Sequence, residues 1–221
     1  MIKIDTNMRS TLAHCRLGVS VIRQVSVRGT SPQLMQVFQS MKEQVADIYN
    51  IETLTKVPRI LAVRNMYKRL SIDPSRYRPA SEALVRRVLQ EKNIYYINSA
   101  VDVNNYCSLK YLVPLGVYDL DKINGDITYS IGHDGEYEGI NGRTFSAAGQ
   151  PVLMDQAGPF GNPTTDSKRT AVTLATTSLL NIIYCDELIS DEELTTMLAK
   201  TADMFAAYND GNVEWSGIIR A

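Results

Sequence analysis

The hydrophobic period changes near the middle of this chain, and that change limits what it can fold into. Over residues 31–92 the apolar residues recur at helical spacing: Leu34, Val37, Phe38, Met41, Val45 and Ile48, then Ile60, Val63, Met66, Tyr67 and Leu70, then Leu84, Val85, Val88 and Leu89. Ser31-Pro32 supplies a cap and a first-turn proline, Pro58 opens the second run, and Pro74 breaks it. Over residues 115–155 the apolar residues come instead in short runs at 115–118, 126–131, 136–140 and 151–155. Asn124-Gly125, Asp134-Gly135 and Asn141-Gly142 separate them as turn signals. Helices followed by short strands predict an α+β fold.

The flanking segments extend the pattern. Leu17, Val19, Val21, Val25 and Val27 alternate, so residues 12–27 read as a strand. A third helix is expected to be capped by Ser81, a short strand to lie at 95–97, and Asp102 to cap a helix ending before Pro114. Residues 169–176 and 179–185 are strand-like, and residues 158–166 (GPFGNPTTD) have loop composition. Ser190 and Glu193 form a capping box for a last helix over 190–208.

Several classes are disfavoured. No apolar run approaches the roughly 18–20 residues of a membrane span, and the first residues carry no apolar leader core. Cys15, Cys107 and Cys185 are odd in number and far apart, which fits neither a disulfide framework nor a zinc site. These features lead us to expect a cytoplasmic protein with no metal. No phosphate-binding glycine loop and no serine nucleophile elbow is present, so no cofactor is expected. His14 and His133 read as a strand and a turn residue. Net charge is −1 but uneven. Ten Lys/Arg face three acids over residues 56–92, and eight acids face one base over 186–214. Two solvated helical faces, or a phosphate-facing end and an averted end, both account for this.

Two polar stretches could carry chemistry. Asn98, Asp102, Asn104 and Asn105 gather at a helix start, where free backbone N–H groups can hold an anion or a carbonyl oxygen. Capping chemistry alone would also place them there. In the second stretch, residues 158–170, the glycines allow close approach. Its hydroxyls with Asp166 and Arg169 could grip an amino group, a carboxylate or a ribose. A plain surface loop closed by an Asp166–Arg169 ion pair is the other reading. Asp119 and Asp121 are expected to cap a short turn.

The runs Val101-Asp102-Val103-Asn104-Asn105-Tyr106, Pro114-Leu115-Gly116-Val117-Tyr118-Asp119 and Asp121-Lys122-Ile123-Asn124-Gly125-Asp126-Ile127 stand in a set order. They resemble the B3/B4 domain of the bacterial phenylalanyl-tRNA synthetase β subunit, whose pattern is V-D-x-x-N-Y, P-x-H-x-F-D and D-x-I-x-G-x-I. The stretch from Met66 through Asp73-Pro74-Ser75-Arg76-Tyr77-Arg78-Pro79 to Leu84 is similar to free-standing members of that family, as is Gly161-Asn162-Pro163-Thr164 through Thr170. The resemblance spans residues 64–185. It leaves an N-terminal strand–helix extension over 1–55 and the helix at 190–208 within a single B3/B4-like domain, 1–221. It implies mixed short-strand sheets with helices packed outside.

The resemblance also implies editing in trans: metal-independent hydrolysis of the ester bond of a mischarged aminoacyl-tRNA. Asn105 and Asp166 would be catalytic. Asn98, Asp102, Asn104, Gly116, Tyr118, Ser167 and Arg169 would form a polar pocket for the amino-acid moiety. Arg64, Lys68, Arg69, Arg76 and Arg78 would meet tRNA phosphates. The family's histidine falls on Gly116 and its loop glutamate has no counterpart at 161–164, so Asp166 is the carboxylate at hand. Two other readings stay open: a non-catalytic module binding tRNA or an amino acid, and a hydrolase or sensor for a small amine or ester without tRNA.

Overall fold

A computed structural model describes residues 1–185 and 188–221. Asp186 and Glu187, the first two acids of the C-terminal acidic stretch, lie outside the described residues. Strand β1 (Ile2–Ile4) and helix α1 (Thr6–Thr11) lead into β2 (Arg16–Arg23). Four helices follow: α2 (Pro32–Ile48), α3 (Pro58–Arg69), α4 (Ala80–Leu89) and α5 (Ser99–Tyr111). Then come β3 (Leu115–Asp119), β4 (Ile127–Ile131), β5 (Glu136–Glu138), β6 (Thr144–Ser146), β7 (Pro151–Asp155), β8 (Gly158–Gly161) and β9 (Ser178–Cys185). Helix α6 (Asp191–Asn209) and β10 (Asn212–Arg220) complete the order.

The strands form two four-stranded sheets, β1-β4-β7-β8 and β10-β2-β9-β3, with β5-β6 as a separate hairpin. This is the α+β architecture, with mixed pairing: β1 runs parallel to β4 and the remaining ladders are antiparallel.

The sheet β10-β2-β9-β3 divides the interior. Side chains alternate along β3 and β9. Leu115, Val117, Leu179 and Ile183 point into one core with residues of α2, α4, α5 and α6. Tyr118, Leu180, Ile182 and Tyr184 point into the other, with α1, α3 and the sheet carrying β4, β7 and β8. Every residue of β9 is buried, as a central strand covered on both faces requires.

Several expectations need correction. Helix α5 is capped by Asn98, whose carboxamide oxygen accepts from Val101 N–H at 2.9 Å, and Asp102 lies inside the helix. Helix α4 starts after Pro79, and Ser81 is buried within it. Residues 95–97 and 169–176 are not strands, whereas β8 occupies half of the expected 158–166 loop. The strand expected over 12–27 shortens to β2. Strand β10 was not legible because it is an edge strand, exposed along most of its length, and exposure removes the apolar alternation.

Candidate nucleic-acid and polar site

The second polar stretch is built around Asp166. Asn162 folds the loop after β8: its side-chain oxygen accepts from Thr164 N–H at 2.7 Å and Thr165 N–H at 2.8 Å. The loop is then held from outside. Tyr67 on α3 shares a 2.7 Å hydrogen bond with Thr164, the Ala80 N–H at the start of α4 donates to the Pro163 carbonyl, and the Tyr137 hydroxyl donates to the Thr165 carbonyl.

Asp166 meets Tyr118. The phenol donates to the Asp166 carboxylate at 2.6 Å and lies 2.7 Å from the Tyr184 hydroxyl, so the three form one chain of hydrogen bonds, buried at the two tyrosines and part-buried at Asp166. Desolvation pushes the Asp166 carboxyl up to about 7, against the Tyr118 bond and an Asn162 backbone bond that favour the ionised form. The same burial, reinforced by the Asp166 charge, holds the Tyr118 phenol well above its usual range.

Two glycines make room for that phenol. Gly116 and Tyr118 share one face of β3, and a Cβ at Gly116 would lie 2.3 Å from the Tyr118 oxygen. One at Gly161 would lie 2.4 Å from it. The space beside Gly116 is therefore filled by the protein's own tyrosine.

The first polar stretch lies on α5. Asn98 caps the helix and reaches the Val172 carbonyl; Asp102 accepts from the Thr30 hydroxyl and, at 3.1 Å, from Ile97 N–H. Burial raises the Asp102 pKa, and those two bonds oppose the shift. Asn104 donates to the Leu115 carbonyl at 3.1 Å and accepts from Asn181, which also donates to the Gly116 carbonyl. These groups secure α5 against β3 and β9. Asn104 meets the sheet on its helical side, whereas Tyr118 and Asp166 meet on the other, so these polar residues do not converge on one pocket. Asn105 is half-buried.

Ser167 is buried, and its hydroxyl accepts from Arg169 N–H. Arg169 pairs with Asp155 rather than Asp166, through two 2.9 Å bonds to a fully buried carboxylate. Burial alone would raise the Asp155 pKa; the Arg169 fork and the Asn124 and Ala157 amides outweigh it and lower it. Ser167 and Arg169, with Tyr137, Glu138 and Lys168, line an open cleft of about 460 Å³.

The basic residues divide. Arg64 is largely buried and bonds Glu82 at 2.9 Å, with Arg86 at 2.8 Å and Arg78 at 3.7 Å from the same carboxylate. Glu82 is fully buried, so these three arginines act as its counter-ions. Lys68, Arg69 and Arg76 are exposed, and Arg76 lies over the Tyr77 ring. Tyr67 and Ala80, which hold the Asp166 loop, bracket this basic stretch in the chain. Sequence reasoning missed Tyr184 and Asp155, whose roles depend on distant partners. Gly116 two residues before Tyr118 on one strand face was the available signal for the phenol's position.

Among the described residues no group of His, Cys, Asp and Glu is placed to hold a metal, and no helix is long and apolar enough to cross a membrane.

The B3/4 domain family model matches residues 62–202. A phenylalanine–tRNA ligase β subunit from Photorhabdus laumondii is 24% identical over 72% of this chain and 20% of its own length. One from Paramagnetospirillum magneticum is 37% identical over 28% of the chain and 8% of its length. The chain thus spans a fifth or less of these relatives. A crystal structure of an N-terminal fragment of the Pyrococcus horikoshii phenylalanyl-tRNA synthetase β-subunit shares the fold. It has a TM-score of 0.51 and 12% identity, covering all of this chain and 54% of the fragment.

Proposed function

Because the chain belongs to the B3/4 domain family, we propose that it hydrolyses the ester bond of a mischarged aminoacyl-tRNA. The observation that carries this reading is Asp166: a desolvated carboxyl pushed up to about 7, on a loop tied through Thr164 to Tyr67 and through Pro163 to Ala80, the two residues between which the exposed cations Lys68, Arg69 and Arg76 fall in the chain. A base poised near neutrality is suited to taking a proton from water. The water oxygen attacks the ester carbonyl carbon, Asp166 takes its proton, and the carbon–oxygen bond to the ribose breaks. The ribose oxygen regains a proton, leaving free amino acid and tRNA. The aminoacyl end enters by the cleft at Ser167 and Arg169, and the cations position phosphates without reading sequence.

A second reading, a non-catalytic tRNA or amino-acid module, is favoured by Tyr118, which fills the space between Gly116 and Gly161. A deacylation assay over a panel of correctly and wrongly charged tRNAs separates the two. Hydrolysis should be accelerated for at least one mischarged species, and Asp166→Asn should reduce that rate by roughly 100-fold or more. Binding of tRNA without acceleration of any species removes the catalytic reading and leaves the module.

A further inference from the structure

The segment joining α4 to α5 exposes large apolar side chains in a row: Tyr95 at 71%, Tyr96 at 36% and Ile97 at 60%. Met35 of α2 is exposed beside them, its carbonyl accepting from the Tyr96 hydroxyl. A connection of this length needs no such residues, and in water their exposure is unfavourable.

The segment is also held in place. The Arg87 guanidinium donates to the Asn93 carbonyl at 2.6 Å, Ile94 is buried in the core, and Ile97 N–H donates to Asp102. Tyr96 packs edge-on against Phe38 at 5.8 Å. The backbone of the segment and the Tyr96 ring are thus held before any ligand arrives, which lowers the ordering cost of binding.

Cations accompany each ring. Arg87 lies 5.8 Å from the centre of Tyr95, and Lys42 lies 5.9 Å from that of Tyr96. Lys92 is exposed in the same segment. The nearby acids are Glu91, exposed at the end of α4, Glu43, which accepts from Gln39, and Asp102, which is buried and engaged by Thr30 and Ile97 N–H. Flat aromatic faces with interleaved cations suit a strand of unpaired nucleotides, whose bases stack while phosphates meet positive charge. A purely apolar protein partner would leave those cations uncompensated.

We propose that Tyr95 and Tyr96, with Lys42, Arg87 and Lys92, form a stacking platform for single-stranded nucleic acid, such as the unpaired end of an RNA. The inference rests on the RNA-binding half of the reading above.

The test measures binding of a short fluorescein-labelled single-stranded RNA, a duplex RNA and whole tRNA to the full chain. Tyr95→Ala should weaken single-strand binding roughly tenfold or more, while Tyr95→Phe retains it. Duplex binding should not change. Tyr95 is so exposed that neither substitution should alter the near-ultraviolet circular dichroism of the fold. Equal binding of the single strand by wild type and Tyr95→Ala overturns the proposal, as does no single-strand binding by wild type. Loss of self-association in Tyr95→Ala with RNA binding intact also overturns it and makes the patch a protein interface. Single-strand binding that depends on Tyr95, in a protein whose tRNA binding ignores charge reversal at Lys68 and Arg76, leaves the platform standing and removes the basic tRNA face.

Discussion

Tyr118 and Asp166, 48 residues apart in sequence, are joined by a 2.6 Å hydrogen bond within the interior between the two four-stranded sheets. The phenol reaches the Asp166 side chain from β3, and it also connects that carboxyl to Tyr184. Tyr118→Phe removes both contacts, taking from the Tyr184 hydroxyl its bond to the phenol and leaving Asp166 its Asn162 backbone bond. Chemical denaturation should show a loss of about 1–3 kcal/mol.

The two-glycine cradle gives a coupling prediction. Gly161→Ala should cost about 1–3 kcal/mol, because its Cβ would overlap a phenol that has nowhere to move. In a Tyr118→Ala background the same substitution should cost much less. A double-mutant cycle measures the difference, and additive losses would show that the cradle is not tight.

Asp166 links stability to pH. Its folded pKa is raised to about 7, above the roughly 3.9 of an unfolded aspartate. The folded protein therefore binds the proton more tightly, and this group's contribution falls as pH rises from about 4 to about 7, then levels. Asp166→Asn lacks that slope. Melting temperatures across this range should show the variant gaining on the wild type as pH rises, and a constant difference would contradict a raised pKa. If Asp166 is the hydrolytic base, kcat/KM should climb through about pH 7.

Arg169 is predicted to be a folding residue as much as a lining one. Arg169→Ala leaves the buried Asp155 carboxylate unpaired, which should cost about 2–4 kcal/mol at neutral pH. Asp155 has a lowered pKa in the wild type, so its stabilisation is present above the unfolded value and is lost as pH falls. The gap between variant and wild type should therefore narrow in acid, as followed by urea denaturation at several pH values.

The five basic residues should separate by assay. Lys68→Glu with Arg76→Glu should weaken tRNA binding and flatten its salt dependence, with little change in stability. Arg64→Ala should lower stability, since it removes a counter-ion from buried Glu82. Filter binding at two salt concentrations, beside a melting curve, distinguishes the two roles.

The sequence by itself determined the elements with strong periodicity or local punctuation. Helices α2 and α3, with their prolines, the capping box of α6, and the runs that become β3, β4 and β7 were all legible, because their signals are local. The spaced motifs likewise carried the family. Only the tertiary structure decided what the polar residues do. Asn98, Asp102 and Asn104 look like site residues in sequence, yet each is bonded to backbone or side chains that hold α5. Arg169 takes Asp155 instead of its near neighbour Asp166 because the β7–β8 hairpin brings Asp155 to it. Gly116 stands in sequence as a pocket residue, and only the approach of β8 to β3 encloses the Tyr118 phenol between Gly116 and Gly161. Helical and strand periods record which face of an element is buried; the partner a polar group finds depends on contacts between segments far apart in the chain.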